Sequence, residues 1–329
     1  MSADTLHIAI VGLGVMGQRM LERLQGHTRL RVTHVWDTNP DIRSRTLELH
    51  PQLRSAETAE QLIASAGLHG LYVATPPAAH MRLSAAGFDA GLAVLCEKPL
   101  AVDFDAARRL IQRIAQEKHR AAVNFSLASS HGLACLQQHF GRGAPRPLGA
   151  LQQVRIDLAF SAWPRPWQMA AGAWLSERAE GGFAREVLSH FIFMLQRVLG
   201  PAAVWSSSVT FPPDGHGSET GLQAELRVDA VAVKVTGRVD PGVAAADRNR
   251  MVWTAQGGVV TVRDWYGLTR QTRAGAEQSL GDADAMRAEG QARQLDQWAA
   301  MIEGQSHGLP GFDEALAVQQ TIESLLHPG

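Results

Sequence analysis

Leu6-His-Ile-Ala-Ile-Val11 runs straight into Gly12-Leu-Gly14-Val15-Met16-Gly17, and this stretch decides the fold. The first six residues are a short apolar run bounded by glycine, as expected of a buried strand. Met16, Met20, Leu21 and Leu24 then recur at helical spacing. Glycines between a strand and a helix permit a tight turn and let the backbone approach a pyrophosphate. The helix N-terminus offers its free N–H groups to that anion. Asp37 closes the next strand candidate, Arg31–Trp36, twenty residues beyond Gly17. An acid there accepts the ribose hydroxyls of an adenosine. It also repels a 2′-phosphate, so NAD is expected ahead of NADP, and Arg43 and Arg45 keep NADP open.

The same rhythm continues outward. Strand-like runs at 70–74, 92–96 and 121–125 alternate with helical stretches to about 49, at 57–65, at 80–90 and at 103–118, the last with Asp103 as N-cap. Strands separated by crossover helices pair in parallel, so residues 1–125 read as a doubly wound sheet. Beyond 125 the rhythm changes. Helices are expected near 132–140, 182–199, 285–302 and 312–326, and strands at 150–160, 204–211, 221–228, 231–239, 250–255 and 258–264. The short connections among the last five strands point to antiparallel pairing. The expected class is therefore α/β, with a second domain at 126–329 whose last helix is free to pack back on the first.

The 329 residues carry 31 Lys+Arg against 32 Asp+Glu, a net charge of −1. A nucleic-acid partner would call for a basic excess, so none is expected. Two cysteines, Cys96 and Cys135, make neither a disulfide framework nor a zinc site. No apolar run approaches the roughly 18 residues of a membrane helix, and Met1–Thr5 has no signal-peptide character. These features predict a cytoplasmic protein without membrane or metal.

Two more segments fall at strand C-termini, where open α/β sheets bind ligands. They are Ala74-Thr75-Pro76-Pro77 with His80, and Cys96-Glu97-Lys98-Pro99. Taken alone, the first is also a plain strand terminator and the second a surface ion pair. A further segment, Gly181-Gly182-x-x-x-Glu186-x-x-x-His190, opens a helix.

Gly12–Gly17, Ala74–Pro77 with His80, Glu97-Lys98-Pro99, the Gly181–His190 segment and the ending Gly311-Phe312-Asp313-Glu314-Ala315 together resemble the Gfo/Idh/MocA oxidoreductases. The resemblance implies a Rossmann domain followed by an α+β domain with a large open, mainly antiparallel sheet. It implies a dehydrogenase moving a hydride between NAD(P) and a secondary alcohol carbon of a sugar, inositol or related polyol, working as a homodimer or homotetramer. Gly12, Gly14, Val15, Met16, Gly17, Asp37, Thr38, Ala74, Thr75, Pro76, Pro77, His80, Glu97 and Lys98 would hold the cofactor. Lys98 would also be catalytic, after a cis bond to Pro99, with His190 as general acid/base and Glu186 beside it one helical turn before. Relatives that hold NAD without net redox, as glycosidases or lyases, and a non-catalytic NAD-responsive binding protein are the alternatives.

Two departures stand out. Glu186 replaces the family's usual Asp, and the arginine that often follows the strand at 121–125 is missing, Ser126 taking its place. Asn124 would either contact cofactor or substrate or cap its loop. Trp163, Trp167 and Trp174 put three of eight tryptophans within twelve residues around Arg165. This cluster would either stack on a sugar and clamp an anion or anchor a loop.

Overall fold

In a computed structural model, residues 5–327 are described, and the chain divides into two compact units. The first is residues 1–125 with 292–316; the second is 126–291 with 317–329.

The first unit is built on five parallel strands: β1 (Leu6–Val11), β2 (Leu30–Trp36), β3 (Gly70–Val73), β4 (Ala93–Cys96) and β5 (Ala121–Val123), ordered β2-β1-β3-β4-β5. β3 and β4 are buried at every position, as continuous apolar runs covered on both faces must be. Strand order reverses between β1 and β3, so the ends of those strands, Gly12 and Ala74, flank the switch point. The crossovers are α1 (Val15–Gln25), α2 (Pro40–Leu49), α3 (Ala59–Ile63), α4 (His80–Asp89) and α5 (Phe104–Glu117). Local chemistry sets their starts. Asn39 accepts from Asp41 N and Ile42 N ahead of Pro40, Thr58 and Gln61 form a capping box, and Asp103 accepts from Asp105 N and Ala106 N.

Residues 292–316, not the last helix as a whole, return to this unit. The reason is apolar: Leu295, Trp298, Ala299, Met301 and Ile302 share one core with Ile8, Ile10, Tyr72 and Leu95, and Trp298 lies 6.0 Å from the Tyr72 ring.

The second unit holds α6 (His131–Phe140), α7 (Ser189–Leu199) and an eight-stranded sheet. Its strands are β6 (Leu151–Phe160), β7 (Ala203–Thr210), β8 (Gly221–Val228), β9 (Val231–Val239), β10 (Asp247–Ala255), β11 (Gly258–Arg263), β12 (Gly267–Thr272) and β13 (Gln278–Ser279). Their order is β13-β12-β11-β10-β6-β9-β8-β7, antiparallel except for β6 beside β9. Alternation is clear in β9, where Val233 and Val235 are buried while Lys234, Thr236 and Arg238 face out. The chain closes with α8 (Ala283–Ile302) and α9 (Phe312–Leu326).

The structure departs from sequence expectation in three places. β12 and β13 were not expected, because Leu-Thr-Arg-Gln-Thr and Gln-Ser are too polar to read as strands; they close one end of the sheet, with β13 at the edge. β10 begins at Asp247, three residues early. The helix expected over 182–199 opens with a π-helical turn at Ala184–Leu188 before α7 begins. Among the described residues no helix is long and apolar enough to cross a membrane, and no cluster of His, Cys, Asp or Glu could hold a metal ion.

Candidate active site

In the first unit the candidate residues gather at the C-terminal ends of the five strands. Gly12 has φ +97°, and a Cβ there would lie 2.4 Å from Ala74 O; a Cβ on Gly17 would lie 1.9 Å from Gly12 O. Both glycines are therefore required by close backbone approach. Gly14 is different. A Cβ there would meet nothing within 4 Å, and Gly14 caps α1 without any side-chain bond. The start of α1 beside Gly14 is thus open among the described residues, as an anion at a helix N-terminus requires, and the first-turn N–H groups belong to Val15, Met16 and Gly17.

Asp37 stands at the end of β2. Its Oδ2 accepts from Leu13 N at 2.6 Å and its Oδ1 from Asn39 N at 2.8 Å, which ties it to the glycine turn. Arg43 Nη1 donates to the Asp37 carbonyl at 3.1 Å. Thr38 and Arg45 are exposed. Thr75 Oγ1 is buried without a hydrogen-bond partner among the described residues. Pro76 is exposed and Pro77 is buried. The open cradle at Gly14, the acid at Asp37 and the orphaned Thr75 hydroxyl fit a dinucleotide.

At the end of β4, Lys98 is half-buried and its bond to Pro99 is cis. Glu97 and Asn124 do not point outward. Tyr72 OH donates to Glu97 Oε1, Asn124 Nδ2 donates to Glu97 Oε1 at 2.6 Å and to Tyr72 OH at 3.0 Å, and Lys98 N donates to Glu97 Oε2 at 3.2 Å. Gln294 Nε2 completes the network on Asn124 Oδ1 at 2.6 Å. Burial pushes the Glu97 carboxyl up, against the Tyr72 bond and the Lys98 charge, and burial also pushes Tyr72 up. Glu97 and Asn124, placed by the sequence near cofactor or substrate with a capping role open for Asn124, here share an internal network that also takes the Lys98 backbone N–H. His80 is fully buried with both ring nitrogens on backbone carbonyls. Cys96 is buried and its thiol is raised by burial, as befits a strand residue.

In the second unit, Gly181 and Gly182 make the turn into the π-helical segment. A Cβ on Gly181 would lie 2.3 Å from Leu175 O, and Gly182 has φ +101° under the Glu219 carboxylate. Glu219 Oε1 accepts from Ala184 N at 2.6 Å, so a buried acid caps the segment. Arg185 adds a fork to Glu323, Nε to Oε1 at 2.6 Å and Nη2 to Oε2 at 2.7 Å, and Nη1 holds Gly181 O at 2.8 Å. Glu186 lies inside this segment and His190 in the first turn of α7, 5% exposed. A π-turn at this point is a common feature of functional helices.

Sequence reasoning missed the neighbours of His190. Trp265, at the tip of the β11–β12 hairpin, sets its ring 5.2 Å from the imidazole at 79°, from a backbone with φ +77°. A bulky residue in that region is strained and is held there by its surroundings. Trp265 Nε1 donates to Asp247 Oδ2 at 3.4 Å, and Asp247 Oδ2 also receives Arg165 Nη1 at 2.8 Å and Asn249 Nδ2 at 3.0 Å.

Arg165 is thus no open anion clamp. It is 5% exposed, its Nε is on Gln168 Oε1 at 2.8 Å, and its guanidinium carbon lies 4.6 Å from the Trp167 ring centre and 5.6 Å from that of Trp163. Burial lowers its proton affinity, while Asp247 and then Glu186 restore it. Trp163 donates to Leu175 O at 3.0 Å and packs on Phe160 and Phe183, which is the loop-anchoring alternative. Trp167 keeps 41% exposure and Trp174 is half-buried.

Known proteins match most clearly in the first unit. Residues 6–125 match the model of an oxidoreductase family described by its NAD-binding Rossmann fold. Inositol 2-dehydrogenase of Acidiphilium cryptum is 32% identical over 110 residues, 33% of each chain. Inositol 2-dehydrogenase/D-chiro-inositol 3-dehydrogenase of Shouchella clausii is 28% identical over 137 residues, 41% of this chain and 40% of that one. These matches span from a third to two-fifths of the relatives' length. A crystal structure of an oxidoreductase from Agrobacterium radiobacter in complex with NAD+, L-tartaric acid and magnesium superimposes with a TM-score of 0.80. It covers 97% of this chain and 94% of that one at 14% identity, a likeness of fold over both units. Residues 6–125 thus carry an NAD-binding Rossmann fold of the Gfo/Idh/MocA oxidoreductase kind.

Proposed function

We propose that the protein is an NAD-dependent dehydrogenase that oxidises a secondary alcohol of a polyol, of the inositol or sugar class. The observation that carries this reading is the cradle at Gly14 beside Asp37, with Lys98 held at the end of the next strand but one. The names of the curated relatives support the polyol class. The nicotinamide, when bound, supplies the acceptor for the hydride.

The chain's own residues do the rest. Val15, Met16 and Gly17 N–H groups bind the pyrophosphate, Asp37 accepts the ribose hydroxyls in place of a 2′-phosphate, and Thr38, Ala74, Thr75, Pro76 and Pro77 line the cofactor. Lys98 donates to the substrate oxygen and stabilises it as negative charge develops. His190 removes the hydroxyl proton, and Glu186 holds the imidazole's charge in balance. The buried position of His190, wedged on Trp265, keeps its ring in one orientation. The subunits assemble as a homodimer or homotetramer, which light scattering tests.

The test is NADH formation by the full chain against a panel of inositols, sugars and sugar acids, with NAD and NADP in parallel. Net NADH from a polyol, with NAD preferred, supports the reading. Firm NADH binding without net NADH formation from any member overturns it, as does a preference for NADP in the choice of cofactor.

A further inference from the structure

β3 and β4 end side by side, and beyond their last paired residues, Val73 and Cys96, two loops diverge, 74–79 and 97–101. Neither loop is well equipped to bond the other through its own backbone, because Pro76, Pro77 and Pro99 have no N–H. His80, the first residue of α4, fills that gap. Its Nε2 lies 2.7 Å from Thr75 O, and its Nδ1 lies 3.0 Å from Pro99 O and 3.2 Å from Leu100 O. The ring is fully buried, and both nitrogens face these carbonyls rather than outward.

We propose that His80 touches no ligand and is a positioning residue that joins the two loops, fixing Thr75 and Lys98 relative to each other. The inference rests on the NAD-dependent reading above for what Lys98 and Thr75 do, though not for the join itself. Nε2 faces the carbonyl of Thr75 itself, the residue whose buried hydroxyl has no hydrogen-bond partner among the described residues. Lys98 precedes Pro99, so holding Pro99 O and Leu100 O fixes the two peptide planes that directly follow the Lys98–Pro99 bond. The Lys98 charge reaches the ring, and burial, ahead of that charge, lowers the imidazole's proton affinity, against the pull of the three carbonyls. The neutral ring donates to one loop only, its second nitrogen facing the other loop's carbonyl without a bond to it. The protonated ring donates to both.

The experiment compares His80→Phe, which keeps the shape and loses every donor, with His80→Gln, which keeps a donor at one nitrogen. Amide exchange is read at Ala78, Ala79, Leu100 and Ala101, alongside the NADH dissociation constant and the split of kcat from KM. In a folded H80F the expected outcome is faster exchange in both loops and not elsewhere, about tenfold weaker NADH binding, and a kcat loss of about tenfold with alcohol KM nearly unchanged. H80Q should fall between H80F and the parent. A folded H80F with parental exchange in both loops and parental NADH affinity overturns the proposal. Should H80F not fold, H80Q decides on the same two readouts: looser loops and weaker NADH support the join, parental values refute it. If the parent oxidises no polyol, the functional reading falls while exchange and NADH affinity still judge His80.

Discussion

Replacing Glu219 by Gln should flatten the fall of stability with rising pH. Glu219 is buried, it caps the segment that leads to His190, and burial raises its carboxyl from 4.5 to about 7 against the help of the Ala184 N–H and of Arg185. The folded chain therefore holds this proton more tightly than the unfolded chain does. Between about pH 4.5 and about pH 7 the folded state is proton-bound and the unfolded state is not, so stability drains away as pH rises and stays lost above that window. A rise from 4.5 to about 7 corresponds to about 3 kcal/mol. In Glu219→Gln the amide oxygen still accepts from Ala184 N, and the group no longer titrates. The amide nitrogen that replaces Oε2, an atom without a partner among the described residues, adds a cost that shifts the whole curve without tilting it. The measurement is equilibrium urea unfolding followed by tryptophan fluorescence at about pH 5 and about pH 8. The variant should lose about 3 kcal/mol less than the parent between the two. Parallel curves would show that Glu219 is ionised throughout and that its cap works as a charge on the segment's N-terminus.

Three further outcomes follow from the site. Gly14→Ala places a methyl in open space on an allowed backbone, so unfolding should change by less than about 0.5 kcal/mol, while NADH binding weakens; Gly12→Ala, whose methyl meets Ala74 O, should fail on stability as well. Asp37→Ser removes the acid at the ribose position, and titration with both cofactors should show NAD affinity down about tenfold or more and the gap to NADP narrowed. Asp247→Ala strands the buried Arg165 charge and should cost about 3 kcal/mol or more in unfolding; a loss under about 1 kcal/mol would mean the pair behaves as a surface one.

The legible part of the structure is the part whose cause is local. Leu6–Val11 with its glycines, the buried runs at β3 and β4, and the capping residues Asn39 and Asp103 announce their elements, because apolar periodicity and orphan N–H groups act within a few residues. Gly12, Asp37, Thr75 and Lys98 lie at or just beyond the ends of those strands, positions that the same runs set. What was hidden depends on distant pairing. Asp247 and Trp265 reach His190 only through a sheet register and a hairpin tip, and Gln294 reaches Asn124 across 170 positions. Arg165 and Trp163 looked like ligand chemistry because sequence shows residue type without burial. The π-turn at 184–188 is invisible to a 3.6-residue pattern, since it is tied by Glu219 to Ala184 and by Glu323 to Arg185, both from elsewhere in the chain.

The most direct test of the whole account is Lys98→Met in the full chain, with NADH binding read by fluorescence and polyol-dependent NADH formation read beside it. In the proposed reading Lys98 stabilises the charge on the substrate oxygen, while the Gly12–Gly17 turn and Asp37 would hold the dinucleotide without it. The account predicts NADH affinity close to the parent and turnover reduced by about a thousandfold or more. Parental turnover in that variant would contradict it.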